Sequence, residues 1–173
     1  MNTRRLFFRN RTKELINEML TYSKEKQMSF FGFLTEEKLE YKLKRIKEGL
    51  SKANEDYLIF DLIDKKNKEV IGSCGFHKWI KDHSRSEIGY EIHKRYQKQG
   101  YMSEAIKEVI NYGFQKMNLN RIEALIDPEN VSSIRIVEKN GFKREGTLRE
   151  HYKNGNDFED SIMYSLLKTD YNS

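Results

Sequence analysis

Met102, Ala105, Ile106, Val109, Ile110, Gly113, Phe114 and Met117 recur at intervals of three and four residues, the most regular apolar stripe in this 173-residue chain. That spacing gathers the apolar groups on one face of an α-helix, and the face must be buried against another element. Just before it the period differs. Glu87-Ile88-Gly89-Tyr90-Glu91-Ile92 alternates, setting Ile88, Tyr90 and Ile92 on one face of a strand and Glu87, Gly89 and Glu91 on the other. A strand that feeds a long helix through a short loop is therefore the feature the rest of the fold must accommodate.

The remaining segments supply partners for both elements. Leu6-Phe7-Phe8 reads as a first strand. Two helices follow, one carrying Leu15, Ile16, Met19 and Leu20, the other Leu39, Leu43, Ile46 and Leu50 after an N-cap at Thr35. Between them Met28-Ser29-Phe30-Phe31-Gly32-Phe33 is aromatic and aperiodic, so it is expected to be a loop that packs on the core or lines a substrate entrance. Tyr57 to Ile63 and Val70 to Trp79 form a hairpin across a polar turn, and the strand ending at Ile92 joins it antiparallel. After the long helix come a strand at Arg121 to Ile126, a turn at Asp127-Pro128-Glu129, and a short helix capped by Asn130 and closed by Asn140-Gly141. A last hairpin turns at Asn154-Gly155. This order predicts an α/β (α+β) fold, a mixed, mostly antiparallel sheet flanked by helices, in one domain over 1–173.

Composition removes several classes. Ten Phe and ten Tyr, with 37% hydrophobic residues, suffice for a core without staples. No stretch approaches the roughly 18 apolar residues of a membrane span, and the first residues lead into no signal-peptide core, so a cytoplasmic address is expected. The single cysteine, Cys74, forms no intramolecular disulfide and reads as a small buried hydrophobe; four scattered histidines offer no metal-ligand spacing, and no metal is expected. A net charge of +5 can steer a polyanion toward the surface, but the basic residues are spread along the chain, and direct nucleic-acid binding is not expected.

The loop Tyr96-Gln97-Lys98-Gln99-Gly100-Tyr101-Met102 opens the long helix. At such a place backbone N–H groups lack partners, the helix dipole adds positive charge, and glycine lets a ligand come close to the backbone. An ordinary helix cap and a pyrophosphate site are both consistent with the loop taken alone. Gln97-x-x-Gly100-x-Met102, however, resembles the Gln/Arg-x-x-Gly-x-Gly/Ala motif of the GNAT N-acetyltransferases, in the same strand-to-helix position. Asn130-Val131-Ser132-Ser133, followed by the run from Glu138 to Gly146, resembles the second signature of the ribosomal-protein (RimJ/RimL-type) branch of that family. Glu87 to Tyr90 and Asp160 to Leu167 look like its fourth and last strands, so the resemblance covers nearly the whole chain. Two departures stand out: Met102 replaces a small residue, and Gln97-Lys98 replaces a frequent Trp-Gly.

The resemblance implies an acetyl-coenzyme A-dependent transfer to a primary amine by direct attack in a ternary complex. Amides of Lys98, Gln99, Gly100, Tyr101 and Met102 would hold the pyrophosphate, and the pantetheine arm would lie near Ile92 and His93, where neighbouring strands splay to form the cofactor cleft. Asn130 would touch pantetheine or simply cap its helix. Ser133 would be general acid toward the coenzyme A sulfur or a capping partner. Glu87 is the preferred base, with Glu91 in reserve; Tyr152 would donate a proton, line the amine pocket or pack, and Phe31 would line the acceptor entrance. An α-amine of pKa about 7.8 is roughly 10% unprotonated at neutral pH, whereas a lysine of pKa about 10.4 is below about 0.1%. That difference, about 3.5 kcal/mol, favours a protein N-terminus such as that of a ribosomal protein. The alternatives are a small amine (a polyamine, an aminoglycoside-like antibiotic or an amino acid) and a non-catalytic basic binding module, which the bulky Met102 alone supports. Relatives often pair, so a homodimer is also implied.

Overall fold

The computed structural model describes residues 1–51 and 57–171, apart from the side chains of 45 and 47–51. Leu50, the last position of the second early helical pattern, falls among those side chains. The elements in order are β1 (Leu6–Asn10), α1 (Lys13–Leu20), α2 (Lys24–Phe31), α3 (Glu36–Ser51), β2 (Leu58–Asp64), β3 (Val70–Ile80), β4 (Arg85–Ile92), α4 (Tyr101–Gln115), β5 (Arg121–Ile126), α5 (Val131–Lys139), β6 (Lys143–Asn154), β7 (Asp157–Leu167) and α6 (Lys168–Tyr171). Seven strands form one sheet in the order β1-β2-β3-β4-β5-β7-β6, mixed and mostly antiparallel.

Three helices, rather than two, separate β1 from β2, because the expected loop at Met28 to Phe33 is mostly helix α2. Its ends carry strong local signals. The Ser23 hydroxyl accepts a hydrogen bond from the Lys26 amide, a cap that stabilises a helix by about 1 kcal/mol, and Gly32 stops it at φ +69°. The aperiodic aromatic run hid this helix, since most of it is polar and only Gln27 and Phe31 turn fully inward.

The chain divides into two compact units, 1–77 with 90–108, and 78–89 with 109–173. In the first, β1 pairs antiparallel with β2 from Leu6↔Asp64 to Asn10↔Phe60, and β2 with β3 from Leu58↔Phe76 to Ile63↔Val70. Ile16, Met19, Phe31 and Leu39 make a buried cluster under the early helices. Glycines let backbones close up here: a Cβ added to Gly72 would lie 2.2 Å from the Glu91 carbonyl oxygen, and one on Gly75 2.2 Å from that of Leu58. Cys74 lies between them, fully buried, and burial pushes its thiol pKa up.

In the second unit β5 pairs with β7 antiparallel over six residues, from Arg121↔Leu167 to Ile126↔Ile162. The β6–β7 hairpin turns at Asn154 and Asp157 and slips register twice, the second time between Leu148 and Tyr152. β4 meets β5 in parallel for three pairs only, Arg85↔Arg121 to Glu87↔Glu123, although β4 continues to Ile92 and β5 to Ile126. Ile122, Ala124, Ile126 and Val137 are buried and supply apolar packing beneath these strands.

Candidate functional site

The loop before α4 keeps an open backbone. Lys98 and Gly100 both adopt positive φ, +59° and +79°, so the chain coils tightly as it enters the helix. Residues 97–100 are exposed, and a Cβ on Gly100 would meet one atom within 4 Å, the Arg5 Nη2 at 3.5 Å. The Glu104 amide donates to the Gly100 carbonyl, which leaves the amides of Tyr101, Met102 and Ser103 at the helix start without an intrahelical acceptor. Unpartnered N–H groups of this kind fit an anionic pyrophosphate. Met102 is 5% exposed, so its side chain enters the core and does not fill the turn. The bulk of Met102 therefore gives no support to a module without catalysis.

Residues unnoticed in the sequence hold this turn in place. Arg5, on the threshold of β1, donates from Nη1 to the Gln99 carbonyl (2.9 Å) and from Nε to Glu104 Oε2 (2.7 Å). Its backbone amide reaches Glu104 Oε1 at 2.9 Å, and the Thr3 hydroxyl donates to the same oxygen. Its guanidinium carbon lies 4.2 Å from the centre of the Tyr101 ring, and the Tyr101 hydroxyl donates to Asp64 Oδ2 (3.0 Å). Partial burial pushes the Glu104 carboxyl up, but the hydrogen bonds from Thr3 and Arg5 outweigh it and hold the pKa below the usual range. In the sequence Arg5 is one of many basic residues spread along the chain; its place just ahead of an apolar strand was the available signal.

Along the end of β4 in the same unit, the His93 amide donates to the Ile71 carbonyl at 2.8 Å, and Gln97 Nε2 to the Ile92 carbonyl at 3.3 Å. The His93 ring packs 5.4 Å from Phe33. Its Nδ1 is buried without a hydrogen-bond partner among the described residues, an orphan that the amide of a pantetheine arm fits. Burial first of all lowers the His93 pKa, so the ring is neutral at physiological pH. The reserve base Glu91 is half-exposed and already engaged: Lys42 Nζ lies 2.5 Å from Oε1, and the Ser73 hydroxyl donates to it at 3.0 Å. Burial raises its pKa, but Lys42, Ser73 and Arg11 together bring it below the ordinary value. Phe31, the candidate entrance residue, is enclosed at 2% exposure, stacked on Phe33 at 5.6 Å.

The second unit holds the other candidates. Asn130 caps α5: its side-chain oxygen accepts from the Ser133 amide at 3.1 Å and the Ser132 hydroxyl at 2.9 Å. Ser133 is half-buried and serves as the partner whose amide Asn130 caps. Glu87 departs from the solvated glutamate that a strand face ordinarily carries, being 7% exposed. Lys78 Nζ lies 2.8 Å from its Oε2. Burial lowers the Lys78 pKa, but Glu87 and Tyr152 outweigh that effect and raise it. Tyr152 is 44% exposed, its ring 4.4 Å from that of His151. Lys78 escaped the sequence reading because nothing in Phe76-His77-Lys78-Trp79 marks one lysine as special.

No group of three or more potential metal ligands occurs among the described residues, and no helix there is long and apolar enough to cross a membrane. A family model described as an acetyltransferase (GNAT) domain matches residues 5–143. The chain is 43% identical over 112 residues to p20, an uncharacterized N-acetyltransferase of Bacillus licheniformis, covering 65% of this chain and 63% of p20. It therefore spans just under two thirds of that relative. It is 33% identical over 171 residues to YoaA, an uncharacterized N-acetyltransferase of Bacillus subtilis, covering 97% and 96%. The crystal structure of a GNAT-family acetyltransferase from Bacillus anthracis superposes with a TM-score of 0.70 at 28% identity, covering 98% of each chain. Two further matches differ in acceptor. One is the ribosomal protein uS5-alanine N-acetyltransferase of Escherichia coli, 27% identical over 65% of this chain and 58% of that one. The other, a spermidine N-acetyltransferase of Vibrio cholerae solved with CoA and spermine, shares the fold at 19% identity, TM-score 0.70, over 99% and 100%.

Proposed function

This chain belongs to the GNAT family of acetyl-coenzyme A-dependent N-acetyltransferases, and from that premise we propose that its acceptor is the α-amine at a protein N-terminus, such as that of a ribosomal protein. One observation carries the choice: Asp61, Glu87 and Glu91 are already matched by cations. Arg9 and Arg11 both bind the fully buried Asp61, Lys42 binds Glu91, and Lys78 binds Glu87. A polyamine would have to displace these ammonium and guanidinium groups, which are held at no translational cost. A neutral or mildly basic peptide end needs no such exchange. The uS5 enzyme supports this reading by similarity, and the spermidine enzyme names the competing acceptor class.

Acetyl-coenzyme A supplies the thioester carbonyl carbon and a thiol leaving group. The amides of 98–102 hold the pyrophosphate, Ile92, His93 and Asn130 orient the pantetheine arm, and neutral His93 places no charge beside the thioester. Glu87 takes the ammonium proton, directly or through water, so that the nitrogen lone pair bonds to the carbonyl carbon as the carbon–sulfur bond breaks. Ser133 gives a proton to the departing sulfur and regains one, directly or through water, from the nitrogen, which sheds its second proton as the amide forms; the contribution is modest because a thiol of pKa about 8.5 leaves readily. The α-amine, about 10% free at neutral pH, asks little of a base paired with Lys78.

Incubation with acetyl-coenzyme A, a library of N-terminal peptides and a panel of polyamines, read by mass spectrometry, tests the assignment. Acetyl groups on peptide α-amines are the expected result. Acetylated polyamines with untouched peptides would overturn the acceptor assignment, and absence of any product would overturn the activity.

A further inference from the structure

We propose that Arg5 is a positioning residue for the turn before α4, and that its charge sets the affinity of that turn for the nucleotide end of acetyl-coenzyme A. The inference rests on the reading of 98–102 as the pyrophosphate site.

Glu104 lies in the first turn of α4. A carboxylate there is favourable for the helix alone, since it faces the positive end of the macrodipole. For a pyrophosphate arriving at the same amides it is a repulsive neighbour. Arg5 cancels it with two donors, Nε and the backbone amide, one to each carboxylate oxygen.

A second contact sets the backbone. In a trans peptide the carbonyl and the following N–H point in opposite directions. Arg5 Nη1 holds the Gln99 carbonyl, so the Gly100 amide of the same peptide is directed away from the guanidinium and toward the open side of the turn. Stacking on Tyr101 and the partial burial of Arg5 fix the fork; Arg5 has 38% of its side chain exposed. The hairpin delivers it. Leu6 is fully buried and in register with Asp64, the Lys65 amide donates to the Arg5 carbonyl at 2.9 Å, and Asp64 accepts the Tyr101 hydroxyl. Arg5 is thus tied to the turn through both its backbone and its side chain.

The test compares wild type, Arg5→Ala, Arg5→Lys, Glu104→Gln and the double variant Arg5→Ala/Glu104→Gln, with acetyl-coenzyme A and with acetyl-pantetheine, which lacks pyrophosphate and nucleotide. Arg5→Ala should raise KM for acetyl-coenzyme A about tenfold, change kcat by less than about twofold, and leave acetyl-pantetheine kinetics unaltered. Removing the stranded carboxylate in the double variant should recover a substantial part of that loss, while Arg5→Lys, which keeps the charge but not the fork, falls between. A double variant no better than the single, or equal losses with both thioesters, would overturn the proposal. If Arg5→Ala does not fold, Glu104→Gln decides: KM for acetyl-coenzyme A falls about two- to threefold if charge governs, and a rise overturns it. A wild-type enzyme that uses acetyl-pantetheine as well as acetyl-coenzyme A would instead sink the pyrophosphate reading itself, whatever Arg5 does.

Discussion

The ammonium of Lys78 lies 2.8 Å from Oε2 of Glu87, and Lys78 reaches it from a left-handed backbone conformation, φ +52°, inside strand β3. A non-glycine residue held there costs about 1 kcal/mol or more, so the surrounding strand must enforce the geometry. The pair has separable consequences for stability and chemistry. Lys78→Met leaves a buried carboxylate without its cation and should lower unfolding free energy by about 1–3 kcal/mol, most of it regained in Lys78→Met/Glu87→Gln. Glu87→Gln alone should lower kcat about 100-fold if Glu87 is the base. Denaturant melts and steady-state kinetics on the same four proteins read both effects.

Gly100 has room for a methyl group but the wrong backbone for one. Its nearest neighbour to an added Cβ is 3.5 Å away, an ordinary contact, whereas φ is +79°. Gly100→Ala should therefore cost about 1–2 kcal/mol through strain alone and raise KM for acetyl-coenzyme A, with Gly100→Asn milder because asparagine tolerates this region better. Equal stability of all three proteins in urea would contradict the strain argument.

Gly72 is the reverse case, with an ordinary backbone and no room. An added Cβ would sit 2.2 Å from the Glu91 carbonyl oxygen and 2.9 Å from the Ile92 Cα, so Gly72→Ala must push the end of β4 away. A loss of about 3 kcal/mol or more, or no soluble protein, is expected. Gly146→Ala, where nothing lies within 4 Å, should stay within about 0.5 kcal/mol. Chemical denaturation of the two variants side by side makes the comparison.

The Glu104 carboxyl is held below its ordinary pKa in the folded chain. The unfolded form then binds its proton more readily, so the stabilisation is complete above the unfolded value of about 4.3 and is lost as pH falls through the lower folded value. Thermal melts from pH 6 downward should show the wild type losing its advantage over Glu104→Gln only below about pH 4.5. A constant difference across that range would contradict this linkage.

The strand-to-helix join was legible because it rests on two different periods meeting at one glycine. Met102 was legible too, its place in the stripe sending it into the core as observed. Helix α2 was not, since its Ser23 and Gly32 ends speak more clearly than its short polar middle. The partners of the candidate site were equally hidden. Arg5 and Glu104 stand 99 residues apart and Lys42 and Glu91 stand 49 apart, so no local pattern could connect them. Lys78 sits nine residues from Glu87, near enough to suspect, but only the unusual φ at Lys78 turns its side chain to that carboxylate. Burial of Glu87 likewise depends on how the sheet is covered, which alternation alone does not reveal.

Because Thr3 and Arg5 are bonded to Glu104 of α4, the turn proposed to hold the acetyl donor depends on residues ahead of β1. Trypsin must draw an arginine side chain into its own pocket before it cuts, and Arg5 is already spoken for. On the proposed reading of 98–102, proteolytic loss of that residue would register as weakened hold on the acetyl donor, many residues downstream of the cut.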